Sequence, residues 1–148
     1  MPKFIVSLTA SVLLMLSGAA QACSLFPDSP EEIFKNYGSV FLARPLAMSP
    51  SPEAIDRLPT NARYQQTVIW QVVSVWKGDQ SAGDTFVQVG RLDSRDPCSG
   101  WGITRSYEPQ IFSLVAESTF HQHYGLGAAY AATQFDALKH RESSSLIK

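Results

Sequence analysis

The chain has 148 residues, of which 45% are hydrophobic, 11% aromatic and 17% charged. Its 12 basic and 13 acidic side chains give a formal net charge of −1. This composition is typical of a globular protein, and it excludes the strongly basic balance that nucleic-acid-binding domains or proteins of anionic membrane surfaces carry. We therefore expect no nucleic-acid partner.

An export signal is predicted at residues 1–22. Lys3 provides a basic start, residues 4–16 are an uninterrupted run of apolar and small side chains, and Ala20-Gln21-Ala22 has small residues where a signal peptidase requires them. The run is too short to span a bilayer, and no second apolar stretch follows. We expect a secreted or periplasmic protein without a membrane span, whose mature chain begins at Cys23.

Lipidation of Cys23 is the alternative, because bacterial lipoproteins are modified at a cysteine that directly follows the signal. Their recognition sequence normally has leucine about three residues before the cysteine, where this chain has Ala20. It also has a small residue where this chain has Gln21. We therefore favour plain cleavage, and a lipid anchor at Cys23 remains the competing interpretation.

Plain cleavage leaves 126 residues, which fits one domain, and removes Lys3, so the net charge becomes −2. Both cysteines, Cys23 and Cys98, lie in the exported part, where the compartment is oxidising. A Cys23–Cys98 disulfide is the economical prediction. Closing a loop of this length stabilises a protein by roughly 4 kcal/mol through chain entropy. A lipidated Cys23 could not form the bond.

The first half of the mature chain predicts one helix and two strands. Ser29, Pro30 and Glu32 form a capping-box pattern, which predicts a short helix that ends at Gly38. Residues 39–47 predict a first strand. Residues 49–61 contain three prolines and are predicted to form a polar loop outside the sheet.

Residues 62–77 have the strongest strand pattern in the chain. Apolar side chains occupy both alternating positions, which predicts a bent strand wrapped into a small closed barrel. Trp70 and Trp76 are interpreted as core or barrel-wall residues.

Later strands are predicted at residues 85–90, in a short segment ending at Thr104, and at residues 109–117. Residues 120–130 fit a last hairpin arm. A closing helix is predicted at residues 133–141, where Thr133 and Asp136 match a second capping box.

Together these elements predict an all-β fold with minor α content. The expected architecture is a five-stranded Greek-key barrel of the oligonucleotide/oligosaccharide-binding (OB) type, flanked by a short N-terminal helix and a C-terminal helix. Residues 23–142 would form this single domain, followed by a flexible tail at residues 143–148.

An ordered set of segments carries a family resemblance. The set comprises Cys23-Ser24-x-x-Pro27, the helix Pro-Glu-Glu-Ile-Phe at residues 30–34, the strand at residues 40–43, Val-Trp-Lys-Gly at residues 75–78, and Cys98 with its following glycines. In this order, residues 23–138 resemble the netrin-like (NTR) domain. The likeness is strongest to the inhibitory domain of the tissue inhibitors of metalloproteinases (TIMPs).

The resemblance implies an inhibitor whose partner is a zinc metalloprotease. In that family the mature N-terminal cysteine binds the protease zinc through its α-amine nitrogen and carbonyl oxygen. Carried over, Cys23 would be the chelator, Ser24 would point into the protease's primed-side pocket, and Cys98 would be the tether. Because the zinc belongs to the partner, we expect no cofactor of the chain's own.

The rest of the implied inhibitory ridge consists of Leu25, Asp96 and Pro97. Leu25 stands where the family's inhibitors usually have a second cysteine, and Lys35 stands at the place of another. The resemblance therefore implies a single disulfide tether. The loop at residues 49–61 would be a peripheral contact at most.

Enzymatic activity is not expected, because the chain has no His-Glu-x-x-His, Gly-x-Ser-x-Gly or phosphate-binding glycine motif. His121 and His123 lie on one side of a strand, but no third metal ligand has useful spacing, so we interpret them as a solvated loop pair. The alternative function is a cell-envelope binding or assembly module built on an OB fold, with a purely structural disulfide.

Overall fold

The computed structural model describes residues 28–59, 61–93, 99–100, 102–116, 119–123 and 127–145. Five antiparallel strands form a curled half-barrel with a helix at each end. The strands are β1 (Val40–Ser49), β2 (Arg63–Lys77), β3 (Thr85–Asp93), β4 (Gln110–Ala116) and β5 (Thr119–His123). The helices are α1 (Pro30–Asn36), α2 (Pro52–Ile55) and α3 (Ala128–Ser145). The strand order β3-β2-β1-β4-β5 makes β3 and β5 the two edges.

The capping box predicted at the start of α1 is confirmed. The Ser29 N–H donates to the Glu32 carboxylate at 2.9 Å, and the Glu32 N–H donates to the Ser29 hydroxyl at 3.3 Å. The bond from the Ser29 backbone is the main reason that the pKa of the Glu32 carboxyl is lowered. The helix ends at Asn36, where the extended residue Tyr37 donates its N–H to the Ile33 carbonyl, so Gly38 lies beyond the cap.

Regular structure extends beyond the predicted elements at two places. Ser51 caps α2, and Pro52 at its first position and Ile55 at its end are buried, so the polar loop predicted at residues 49–61 contains a helical turn. β3 continues past its predicted end to Asp93, which pairs with Arg63 of β2. The short strand predicted up to Thr104 is absent, because residues 102–104 form a turn and an irregular segment.

The helix α3 begins at Ala128, five residues before the predicted cap at Thr133. The Thr133 hydroxyl donates to the Ala129 carbonyl at 3.1 Å inside the helix, and Asp136 accepts a bond from Trp76. The predicted cap is therefore wrong, and the alanines before Thr133 extend the helix because alanine is the best helix former. None of the helices in the described residues is both long and apolar enough to cross a membrane.

The sheet has a hydrophobic core on each side. The concave side buries Phe41, Ala43, Val68, Trp70, Val72 and Phe112. The convex side packs against α1 and α3 and buries Ile33, Phe34, Val40, Trp76, Ile111, Ala131 and Phe135. Both tryptophans of β2 are thus core residues, as predicted, but they belong to different cores.

Two irregularities in the pairing of β1 with β2 explain this division. Ala43 pairs with Val72 and Leu42 with Ser74, which leaves Val73 as an extra residue in β2. Trp76 is a second extra residue, because Phe41 pairs with Val75 and Val40 with Lys77. Each extra residue exchanges the faces that the following side chains occupy, so Trp76 turns towards the helices.

β2 has apolar side chains on both of its faces, but these side chains are not buried on both faces along the whole strand. Ile69 and Val73 are exposed, at 39% and 43% of their surface. The described strands leave the barrel open between β3 and β5, which share no backbone ladder. The coarse prediction of five strands with flanking helices is confirmed.

The Val-Trp-Lys-Gly segment at the end of β2 attaches α1 and α3 to the sheet. The Trp76 indole N–H donates to Asp136 of α3 at 2.8 Å, and Lys139 of α3 donates to the Val75 carbonyl at 3.1 Å. Lys77 donates to the Phe34 carbonyl of α1 at 2.7 Å. The Val-Trp-Lys-Gly segment, which carries part of the family resemblance, therefore has a structural role in this fold: it joins the helices to the sheet.

We expect Phe135→Ala to destabilise the fold by about 3–5 kcal/mol, because it empties the centre of the convex core. Phe135 is fully buried and its ring lies 4.9 Å from that of Trp76, between centroids. Tyr130→Ala on the same helix is the matched control, since Tyr130 is 62% exposed and should change stability by only about 0.5 kcal/mol. Urea unfolding measures both, and equal losses would contradict the assignment of this core.

Candidate functional site

The predicted inhibitory ridge lies outside the described residues. This applies to Cys23, Ser24, Leu25, Asp96 and Pro97, and also to Cys98 and the predicted Cys23–Cys98 disulfide. The structure describes the two residues that flank residues 94–98, Asp93 and Ser99, and the elements that hold them. These elements would support the second part of the predicted ridge, Asp96 and Pro97.

The two ends of the 94–98 segment are hydrogen-bonded to each other. The Asp93 N–H donates to the Ser99 hydroxyl oxygen at 2.8 Å, and this hydroxyl donates to the Asp93 carbonyl at 2.6 Å. Arg63 of β2 approaches the Asp93 carboxylate at 2.6 Å from the other side. The Arg63 side chain is exposed and the Asp93 side chain is half-buried, so this ion pair contributes little stability.

Gly100 and Gly102 are held against β3. The Gly100 N–H donates to the Arg91 carbonyl at 2.8 Å. Gly102 then contacts the backbone of Gly90 so closely that a Cβ atom built on Gly90 would lie 2.3 Å from the Gly102 carbonyl carbon and oxygen. Gly102 itself has a φ of +76°, a conformation that favours glycine.

A buried glutamine of β2, Gln66, anchors the chain at Thr104 from the concave side of the sheet. The Gln66 side chain accepts the Thr104 N–H at 2.7 Å and donates to the Thr104 carbonyl at 3.0 Å. Its amide also donates to the Pro50 carbonyl at 3.0 Å. Gln66 is fully buried, and these bonds satisfy it while connecting the chain before β2 with the chain after β3.

An open cleft of about 500 Å³ lies beside the closed ends of the 94–98 segment. Its lining comprises Arg63, Tyr64, Gln65, Arg91, Leu92, Asp93 and Ser99. Two arginines and one aspartate leave this lining with a formal excess of one positive charge. The lining offers hydrogen-bonding and apolar contacts to a partner, but it has no nucleophile paired with a base.

The structure corrects the interpretation of the histidine pair. His121 and His123 lie on β5, and His123 is buried, with only 4% of its surface exposed. Its Nε2 atom lies 2.8 Å from the hydroxyl of the buried Ser113, and its ring packs edge-on against Tyr37 at 5.4 Å between centroids. Burial, with a smaller contribution from the charge of His121, lowers the pKa of His123 to about 4.

His123 is therefore neutral at pH 7 and forms part of the packing between β4, β5 and the end of α1. The alternation His-Gln-His predicted correctly that both rings share one face of a strand, but not that one of them is buried. In the part of the chain that the structure describes, no group of three or more His, Cys, Asp and Glu side chains is arranged to hold a metal ion.

The buried His123 should make stability depend on pH. Its folded pKa of about 4 lies below the usual value of 6.5, so the unfolded chain binds the proton more readily. The free energy of unfolding should therefore fall as pH drops from about 6.5 towards 4, by up to about 1.4 kcal/mol per pH unit, and this contribution should level off below about 4.

Two variants isolate this contribution in urea titrations at several pH values. His123→Gln should flatten the part of the profile between pH 6.5 and 4, whereas His140→Gln, on the exposed surface of α3, should keep the parent profile. Parallel profiles for the parent and His123→Gln would show that His123 does not carry the effect.

Gly90→Ala should loosen the segment that follows residues 94–98. The added methyl group overlaps the Gly102 backbone, and such overpacking costs about 1–3 kcal/mol. We expect the Gly100 N–H to exchange with solvent markedly faster in this variant. Gly38→Ala is the control, since no atom lies within 4 Å of its Cβ position, and unchanged Gly100 protection in Gly90→Ala would contradict the contact.

Comparisons with known proteins give no family for this chain. A scan against protein-family models, a search of curated proteins and a search of solved structures each found no match.

Proposed function

We propose that this chain is an exported, TIMP-like inhibitor of a zinc metalloprotease. Cys23 is the first residue of the mature protein and binds the protease zinc. Ser24 and Leu25 extend the contact on one side, and Asp96 and Pro97 form its second segment. Cys98 ties that segment to Cys23 through a disulfide. The protein acts in the secreted or periplasmic compartment and has no catalytic activity of its own.

We propose in addition that the five strands belong to a Greek-key OB barrel. The strand order β3-β2-β1-β4-β5 supports this, because it fits a partly open five-stranded Greek-key barrel with β3 and β5 as its two edges. Phe86 of β3 and Phe120 of β5 stack with their ring centroids 4.2 Å apart. The two edge strands thus contact each other through side chains, without a backbone ladder in the described residues.

The observation that carries the inhibitor proposal is the closure of the 94–98 segment by Asp93 and Ser99. The Asp93–Ser99 bonds hold the two ends of the segment together, so its loop-closure entropy is already lost before a partner binds. Gly100, Gly102 and Thr104 fix the chain that follows, through bonds and contacts to β3 and Gln66. Such a base suits a loop that tethers an N-terminal chelating residue.

The chemistry of the proposed chelation is straightforward. A catalytic zinc ion keeps one coordination position open for water or substrate. An α-amine has a pKa of about 8, so it readily supplies a neutral nitrogen ligand near neutral pH. The amine nitrogen and carbonyl oxygen of one residue close a five-membered ring on the metal. A disulfide at the same residue would limit its motion and so reduce the entropy lost on binding.

One added residue tests this proposal. Cleaved parent protein should have a mass that begins at Cys23 and no thiol that can be alkylated without reduction. A protein with one alanine inserted directly before Cys23 should fold normally but lose inhibition by at least about 100-fold, because its α-amine is displaced from the chelating position. A fluorogenic peptide assay with a panel of secreted zinc endopeptidases measures the inhibition constants.

The matched control carries the same alanine after Lys148, at the other end of the chain, and should inhibit like the parent. Unchanged urea unfolding of both proteins excludes a folding defect. Equal inhibition by the parent and by the protein extended before Cys23 would contradict the chelation mechanism. A mass increased by a lipid, with Cys98 open to alkylation, would contradict both the free amine and the disulfide.

A second candidate function is a cell-envelope binding or assembly module. The observation that favours it is the exposed apolar surface on β2 and β3, where Ile69, Val73, Val87 and Val89 are between 39% and 59% exposed. In this case binding would not depend on the N-terminal amine. The alanine inserted before Cys23 therefore separates the two functions.

A further inference from the structure

The outer half of β3 has an open backbone edge. The Arg91 carbonyl and the Asp93 N–H point away from β2, since they bond to Gly100 and Ser99. Backbone groups in an antiparallel ladder alternate in direction, and β3 pairs with β2 without interruption. The N–H and C=O groups of Thr85, Val87 and Val89 therefore point to the open side. Within the described ranges, no hydrogen bond is found for them there.

The side chains of this edge segment form part of an apolar row on the convex face. Val87 is 59% exposed and Val89 is 48% exposed. Ile69 of β2 lies directly opposite Val87, and Ala47 of β1 lies opposite Ile69. The row thus runs across three strands and ends at the open edge of β3.

The usual protections of an edge strand are missing from residues 85–89. Natural sheets prevent edge pairing with prolines, charged side chains or bulges. This segment has no proline, no charged residue stands between Asp84 and Arg91, and the pairing with β2 contains no bulge. β5 approaches β3 through the Phe86–Phe120 contact, but no backbone ladder joins the two strands in the described residues.

We propose that β3 pairs with β3 of a second copy of this chain, antiparallel and about a two-fold axis at Val87. Val87 would then exchange two backbone hydrogen bonds with Val87 of the second copy, and Thr85 would face Val89. The apolar row continues through the axis, from Ile69 and Val87 of one copy to Val87 and Ile69 of the other. Edge pairing of this kind is an established mode of strand addition.

Charge distribution is the reason that the partner is a second copy. Asp84 and Arg91 flank the uncharged segment, with opposite signs at its two ends. Antiparallel pairing about Val87 places Asp84 of one copy opposite Gly90 of the other, next to Arg91. The Gly100 N–H already bonds to the Arg91 carbonyl at this edge, so the new ladder is limited to residues 85–89. A ladder this short predicts a weak dimer that forms at high concentration.

Sedimentation equilibrium of the mature protein, from about 10 µM to about 1 mM, tests the proposal. The parent should show a monomer–dimer equilibrium. Val87→Lys should weaken it by at least about tenfold, because two lysines then meet at the axis. Val73→Lys is the matched control: Val73 is 43% exposed on β2, away from the edge, and the dissociation constant should change by less than about twofold.

Hydrogen exchange gives a second readout. The amides of Val87 and Val89 should become protected as the protein concentration rises, whereas other exposed amides should not. A parent that stays monomeric at every concentration would overturn the proposal and leave the edge to a strand from another protein. A dimer weakened by Val73→Lys but not by Val87→Lys would also overturn it, by assigning the contact to the convex face.

Discussion

The irregular register between β1 and β2 is the constraint on which the rest of the fold depends. Two extra residues in β2, Val73 and Trp76, change the side of the sheet that its last residues face. Without them, Trp76 would point into the concave core and its bond to Asp136 could not form. The bulged end of β2 is therefore what allows α1 and α3 to pack on the convex face, and it lets one sheet support two cores.

The opposite end of β2 serves a different purpose. There Gln66 and Arg63 hold the chain that follows β3, and the Asp93–Ser99 bonds close the 94–98 segment. These contacts are polar and specific, whereas those around Trp76 are mostly apolar. The two ends of β2 therefore have different structural roles: one joins the sheet to α1 and α3, and the other holds the chain on either side of residues 94–98.

The proposed inhibitor function and the proposed edge pairing use separate parts of the molecule. The first depends on the free amine of Cys23 and on the base formed by Asp93 and Ser99. The second depends on the open backbone of Thr85, Val87 and Val89, at the other end of β3. Pairing at residues 85–89 does not involve Asp93 or Ser99, so a dimer would present two copies of the proposed inhibitory ridge.

The sequence by itself determined what depends on neighbouring residues. The capping box of Ser29 and Glu32 acts across three residues, and the run of strand-forming apolar residues in β2 is local, so the start of α1 and the extent of β2 were predicted correctly. The tertiary structure alone decided the features that require distant partners. Asp136 bonds to Trp76 rather than capping α3, His123 is buried by Tyr37 and Ser113, and the bulges divide β2 between two cores. No local pattern encodes such contacts, because each depends on how segments far apart in the chain pack together.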